Sequence, residues 1–156
     1  MKQLLAPITV SIALAASSAS AFDPADLKKL QETNECIGCD LSNVNLSQAD
    51  LSKADLSKAD LSKADLYNVN LSGANLHSAN LSGAFLWKAN LFEALLTKAN
   101  LKRAQLQSSE LGYANLEKAN LDGASLSEAM LSSATMKDAV LCNTIMPDRS
   151  VIYSGC

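Results

Sequence analysis

The sequence predicts a solenoid, a chain wound into stacked short repeats, and three observations predict it. A leucine stands at every fifth position from Leu41 to Leu131, nineteen in succession, and Met136, Leu141 and Met146 extend the series to 22 registers without an insertion. The residue two places before each is small: Ala at 17 of the 22, otherwise Cys39, Val44, Val69, Ser109 or Thr144. Finally, 26 Leu and 24 Ala make up about a third of the 156 residues, while aromatics are only 4 %. That leaves too few large rings for a conventional mixed core.

The period of five suits neither common secondary structure. On an α-helix five residues turn ~500°, so successive leucines lie ~140° apart and scatter around the cylinder. On a straight strand an odd period sends alternate leucines to opposite faces. A heptad seam is excluded directly. Units this short cannot bury their own apolar side chains, so the chain must coil until every leucine points inward.

Composition removes other classes. With 48 % apolar residues and a net charge of −3, the chain is too hydrophobic and too weakly charged for disorder. Six Gly and three Pro exclude collagen and a Gly/Pro-rich linker, and the acidic balance argues against nucleic acid as a partner.

Ala-Asp-Leu-Ser-Lys at 54–58 and 59–63, and Ala-Asn-Leu-x-x at 79–83 and 119–123, resemble the pentapeptide-repeat family, and the resemblance covers residues 39–148. It implies an all-β solenoid, specifically a right-handed quadrilateral β-helix with four pentapeptides per coil and one per side. The central Leu and the small residue two before it would fill the tube, and the other three positions would face outward. Twenty-two repeats then make about 5.5 coils, a tube about 26 Å long at ~4.8 Å per coil.

In chain order, residues 1–21 read as a signal peptide. Lys2 supplies the positive start, Leu4 to Ala16 an apolar run, and Ala19-Ser20-Ala21 a small-residue cleavage site before Phe22. About 13 apolar residues are too few to span a ~30 Å hydrocarbon core, so no membrane span is expected in the mature form. The expected location is extracytoplasmic: periplasm, or thylakoid lumen in a photosynthetic host. Four cysteines, all beyond the signal, fit an oxidising compartment.

Residues 22–38 are expected to cap the near end of the tube, with a short helix over 23–34. Asp23 is an N-cap candidate, Pro24 fits the first helical position and Asp26 the first turn. Leu27 and Leu30 offer a small apolar stripe. Cys36-Ile37-Gly38-Cys39 is a lone CxxC leading into the first coil. It reads as a structural bridge; the alternative is a thiol–disulfide redox pair, which normally needs a βαβ setting and a helix N-terminus to stabilise the thiolate. Asp40 follows instead of His, which excludes haem attachment. A four-cysteine zinc site would need the two ends of the tube to meet.

On the outside, the position before each leucine is Asp or Asn at 13 of 22 registers. Family members with strongly acidic rods mimic DNA and bind type II topoisomerases. Here Lys53, Lys58 and Lys63 intermix with Asp50, Asp55 and Asp60, which breaks up a negative stripe, and export would separate the protein from such enzymes. The departures from pattern cluster at residues 81–100, where Phe85 and Leu95 replace the usual Asp or Asn and Trp87 and Phe92 the usual Ser. Residues twenty apart should stack, which sets Trp87 next to Tyr67 and beside Phe85. Tyr67, Phe85, Trp87, Phe92 and Leu95 therefore form a candidate interaction patch.

No catalytic, cofactor or metal site is expected. The single histidine, His77, stands at an outward position with no partner converging on it by register. Acyltransferase β-helices run on a period of six, ice-binding ranks need more outward Thr than Thr97 and Thr135, and calcium-binding β-rolls need Gly-Gly-x-Gly-x-Asp repeats.

The tail from Cys142 to Cys156 resembles the closing segment of exported cyanobacterial pentapeptide proteins. That resemblance implies a Cys142–Cys156 disulfide folding residues 149–156 across the last coil, at ~3 kcal/mol in the chain-entropy model. The expected protein is a non-catalytic structural or protein-interaction scaffold, a monomer or weak oligomer, with a redox role for Cys36 and Cys39 or topoisomerase binding as alternatives.

Overall fold

A computed structural model describes residues 22–153 and Cys156; the predicted signal peptide, 1–21, lies outside the described residues. The first element among the described residues is α1 (Pro24–Thr33). Asp23 caps it by accepting the Ala25 N–H at 2.8 Å. Asn34 ends it in the left-handed conformation, its N–H reaching Leu30 O at 2.9 Å. Leu27 and Leu30 are buried in the same apolar cluster as Leu41 and Leu46. Asp26 Oδ2 takes the Asp40 N–H at 2.8 Å, which ties α1 to the first coil.

From Glu35 to Ile145 the backbone pairs with itself at a constant offset of twenty residues, in parallel, as in Asp40↔Asp60, Asp60↔Asn80 and Asn80↔Asn100. An offset of twenty on a repeat of five makes a four-sided coil, one pentapeptide to a side. All leucines at the five-residue positions from Leu41 to Leu126 are fully buried. The small residues two places before them, mostly Ala but also Cys39, Val44 and Val69, line the rest of the interior, where the space beside each leucine admits only a short side chain. Two inward polar side chains satisfy themselves on the backbone: Ser109 Oγ donates to Leu106 O and Thr144 Oγ1 to Leu121 O, both at 2.7 Å.

One side shows how the backbone is accounted for. Leu61 N–H donates to Asn80 O (2.7 Å) and Lys63 N–H to Ser82 O (2.9 Å) in the next coil. Asp65 N–H donates to Val44 O (2.9 Å) in the previous coil, and Ala64 N–H closes a turn on Leu61 O (3.1 Å). The remaining donor, Ser62 N–H, goes to Asp60 Oδ1 at 2.8 Å. All five N–H groups of the repeat are thus used. The turn needs a left-handed third residue, and Lys63 (φ 56°), like Lys53, Lys58 and Gly83, supplies it.

At the far end, β1 (Thr144–Ile145) pairs antiparallel with β2 (Val151–Ile152), Thr144 opposite Ile152. Cys142 and Cys156 are bonded, and Arg149 pairs with Glu128. This hairpin does not lie across the whole last coil as expected. Leu131, Met136, Leu141 and Met146 stay only half-buried, because a tail with two paired residues is too short to cover a four-sided section. Among the described residues no helix is long and apolar enough to cross a membrane.

Candidate interaction surface

Where Asp or Asn stands before the leucine, it is a local backbone cap. Its side-chain oxygen accepts the N–H two residues on: Asp55 from Ser57 (3.0 Å), Asp65 from Tyr67 (3.1 Å), Asn90 from Phe92 (3.0 Å), Asn115 from Glu117 (3.0 Å). Stacked caps also bond between coils, Asn75 Nδ2 to Asp55 Oδ1 and Asn80 Nδ2 to Asp60 Oδ1, each at 3.1 Å. An amide above a carboxylate avoids stacking like charges. The Ser57 N–H, with further bonds from the Ser57 hydroxyl and Asn75, holds the Asp55 carboxyl below its ordinary range. Ser42 does the same for Asp40.

Like Met130, Val140 and Ile145 nearer the far end, Phe85 and Leu95 carry no oxygen at this slot. The four-sided geometry separates them. Phe85 lies in the ladder Asp65–Phe85–Gln105 and Leu95 in the ladder Asn75–Leu95–Asn115, two sides away around the tube. Phe92 falls on the side between, edge-on to Tyr113 with ring centroids 5.5 Å apart. The five residues therefore do not form one surface. Three of them do: Tyr67, Phe85 and Trp87 line one open groove of about 440 Å³. They are 38 %, 45 % and 46 % exposed, and Lys88 Nζ lies 5.9 Å from the Tyr67 ring centroid on the cation–π side. Lys63, Asp65, Gln105 and Asn43 complete the lining.

His77 has a partner that the register could have shown: Thr97, twenty residues on, whose Oγ1 lies 2.7 Å from Nδ1. The contact ties two stacked coils together through their side chains. Cys36 and Cys39 are bonded to each other and are 0 % and 4 % exposed. Their sulfurs and an Asp26 carboxylate oxygen lie within 4.8 Å of one another, but with both sulfurs in the disulfide no thiolate is left to ligate a metal.

A stacked ladder of twenty-residue coils filled by leucine defines a class, the β-solenoids of short repeats. Within that class the chain belongs to the family described as pentapeptide repeats, whose model matches residues 35–73, 74–111 and 109–146. Its fold is accordingly the right-handed quadrilateral β-helix. The crystal structure of the pentapeptide-repeat protein Rfr23 from the cyanobacterium Cyanothece 51142 is 33 % identical. It covers 74 % of this chain and 92 % of its own, with a TM-score of 0.72. The crystal structure of alr5209, a pentapeptide-repeat protein from Nostoc PCC 7120, is 37 % identical, covering 65 % of this chain and 78 % of its own, with a TM-score of 0.50. None of the curated proteins matches the chain.

Proposed function

We propose that the chain is an exported, non-catalytic scaffold that binds a protein partner through the side carrying Tyr67, Phe85 and Trp87. Residues 22–38 serve as its near cap, 39–148 as a tube of about 5.5 coils, and 149–156 as a partial far cap. The observation that carries this reading is the placement of three exposed rings in one groove, at positions where the repeat most often uses Asp, Asn or Ser. Replacing a backbone cap by Phe85 sacrifices a hydrogen bond, and a ring there has no inward packing to compensate. The cysteines act as staples. Burial of both Cys36 and Cys39 disfavours thiol exchange, which requires an accessible sulfur.

The test compares proteins captured from the exported fraction by the wild-type chain and by a Trp87→Ala/Phe85→Ala variant. A partner held by the wild type and lost from the variant is expected. Equal capture by both overturns the assignment of this side. Thiol alkylation after mild reduction checks the staple reading: Cys36 and Cys39 are expected to resist, and ready labelling would restore the redox alternative.

A further inference from the structure

The two disulfides differ in what surrounds their sulfurs. Cys36 and Cys39 are 0 % and 4 % exposed. Cys36 Sγ lies 3.2 Å from Asp26 O, and an Asp26 carboxylate oxygen stands within 4.8 Å of both sulfurs. Oxygens of that kind repel a thiolate, whether it attacks or leaves. The far bridge is open to solvent. Cys142 is half-buried and Cys156 exposed, so a thiol in solution can reach it.

Within the far bridge the two sulfurs are unequal. Cys156 Sγ faces an acceptor, Tyr153 O at 3.2 Å. Cys142 Sγ instead receives the side-chain amide of Asn143, whose Nδ2 lies 3.1 Å away. An N–H directed at a sulfur favours its thiolate form and makes it the better leaving group. Asp122, which Asn143 also contacts, has its charge offset by Lys102 Nζ at 2.8 Å.

We propose that Cys142–Cys156 is a thiol-exchange site, opened by a dithiol reductant while Cys36–Cys39 stays closed. One thiolate of the dithiol attacks Cys156 Sγ. The S–S bond breaks and its electron pair leaves on Cys142 Sγ, beside the Asn143 amide. The second thiol of the reductant, as thiolate, attacks the reductant's own sulfur in the mixed disulfide and frees Cys156. Two electrons pass to the protein, the two protons of the dithiol end on Cys142 and Cys156, and the reductant leaves as its disulfide.

Reduction releases the tail. Without the bridge, β2 is held by its two residue pairs with β1, too few to persist alone. The Arg149–Glu128 pair is mostly exposed and adds little. Opening leaves the Thr144–Ile145 edge unpaired and uncovers Met146 further, so the far end turns into an apolar surface under reducing conditions. This goes beyond the staple role and is independent of the ring-lined groove.

The folded, oxidised chain is treated with dithiothreitol and alkylated at intervals, and the four cysteines are followed by peptide mass spectrometry. Cys142 and Cys156 are expected to label together, at least tenfold faster than Cys36 and Cys39. Equal rates for the two bridges, or faster labelling of the near one, overturn the proposal. Asn143 has φ 53°, so Asn143→Gly removes the amide without straining the turn. It is expected to slow opening roughly threefold or more, with the melting temperature of the oxidised chain unchanged. Asn143→Asp, which sets an acceptor beside the sulfur, should slow it further. Undiminished rates in both variants refute Cys142 as the leaving sulfur. Amide hydrogen exchange over 144–153 should rise at least tenfold on reduction while 41–126 keeps its protection; an unchanged tail overturns the release.

Discussion

Ser62 N–H has no carbonyl to meet in the coil; Asp60 supplies an oxygen at 2.8 Å, and the same service recurs around the tube. The charge of that residue is secondary, which is why Asn alternates with Asp at the slot. Asn115→Ala removes the acceptor of Glu117 N–H and is expected to cost ~1 kcal/mol, read as a lower urea midpoint. Asp55→Asn keeps the acceptor and should be close to neutral at pH 7. Its effect shows in acid. The Asp55 carboxyl is held below its ordinary range, so its contribution is full above the unfolded pKa and is lost as pH falls through the lower folded one. Asp55→Asn should therefore flatten the acid limb of the stability profile, and an unchanged limb would refute that linkage. The capping role was missed in the sequence because Asp and Asn at a solvent-facing position read equally well as surface charge and polarity. Only the backbone geometry separates the readings.

Each turn forces its third residue to φ near +57°, as in Lys53, Glu93 and Tyr113, a conformation that costs a non-glycine residue ~1 kcal/mol or more. Flanking coils over-determine it, so the strain is tolerated at turn after turn. Glycine has a different use at Gly112, the position one residue after Leu111. A Cβ there would lie 3.1 Å from Phe92 Cδ2 and 3.2 Å from Cε2, so the Phe92 ring occupies the space left by the missing side chain. Gly112→Ala should displace the ring, break its edge contact with Tyr113 and lower stability by about 1 kcal/mol. Adding Phe92→Ser should recover most of that loss; a persistent deficit in the double variant would place the cost in the backbone. The pairing of a large ring with a glycine twenty residues later was legible in the sequence once the coil length was known.

The tube as a whole is supported by its filling. Leu91, in mid-tube, is fully buried, so Leu91→Asp introduces a charge with no partner into a space that cannot hydrate it. It is expected to abolish cooperative thermal unfolding, followed by circular dichroism, whereas Met136→Asp at the half-open far end should be far milder. A Leu91→Asp protein melting within a few degrees of the parent would overturn the account of the core. The two ends differ because α1 brings Leu27 and Leu30 to the core, while the far hairpin contributes two short strands and leaves the last inward residues partly exposed.

The period of five was sufficient to say that the chain coils and what fills it, since a uniform register with leucine inward leaves helix and flat strand without a way to bury it. Resemblance to pentapeptide repeats supplied the four sides. The twenty-residue coil already set Trp87 next to Tyr67, and the tertiary structure decided which of the other exposed side chains share that surface. Residues ten apart in sequence, such as Phe85 and Leu95, lie on opposite sides, whereas Tyr67 and Trp87, twenty apart, are neighbours. It also decided how well the ends close, because sealing a section depends on the area a tail can reach, which no periodic pattern encodes.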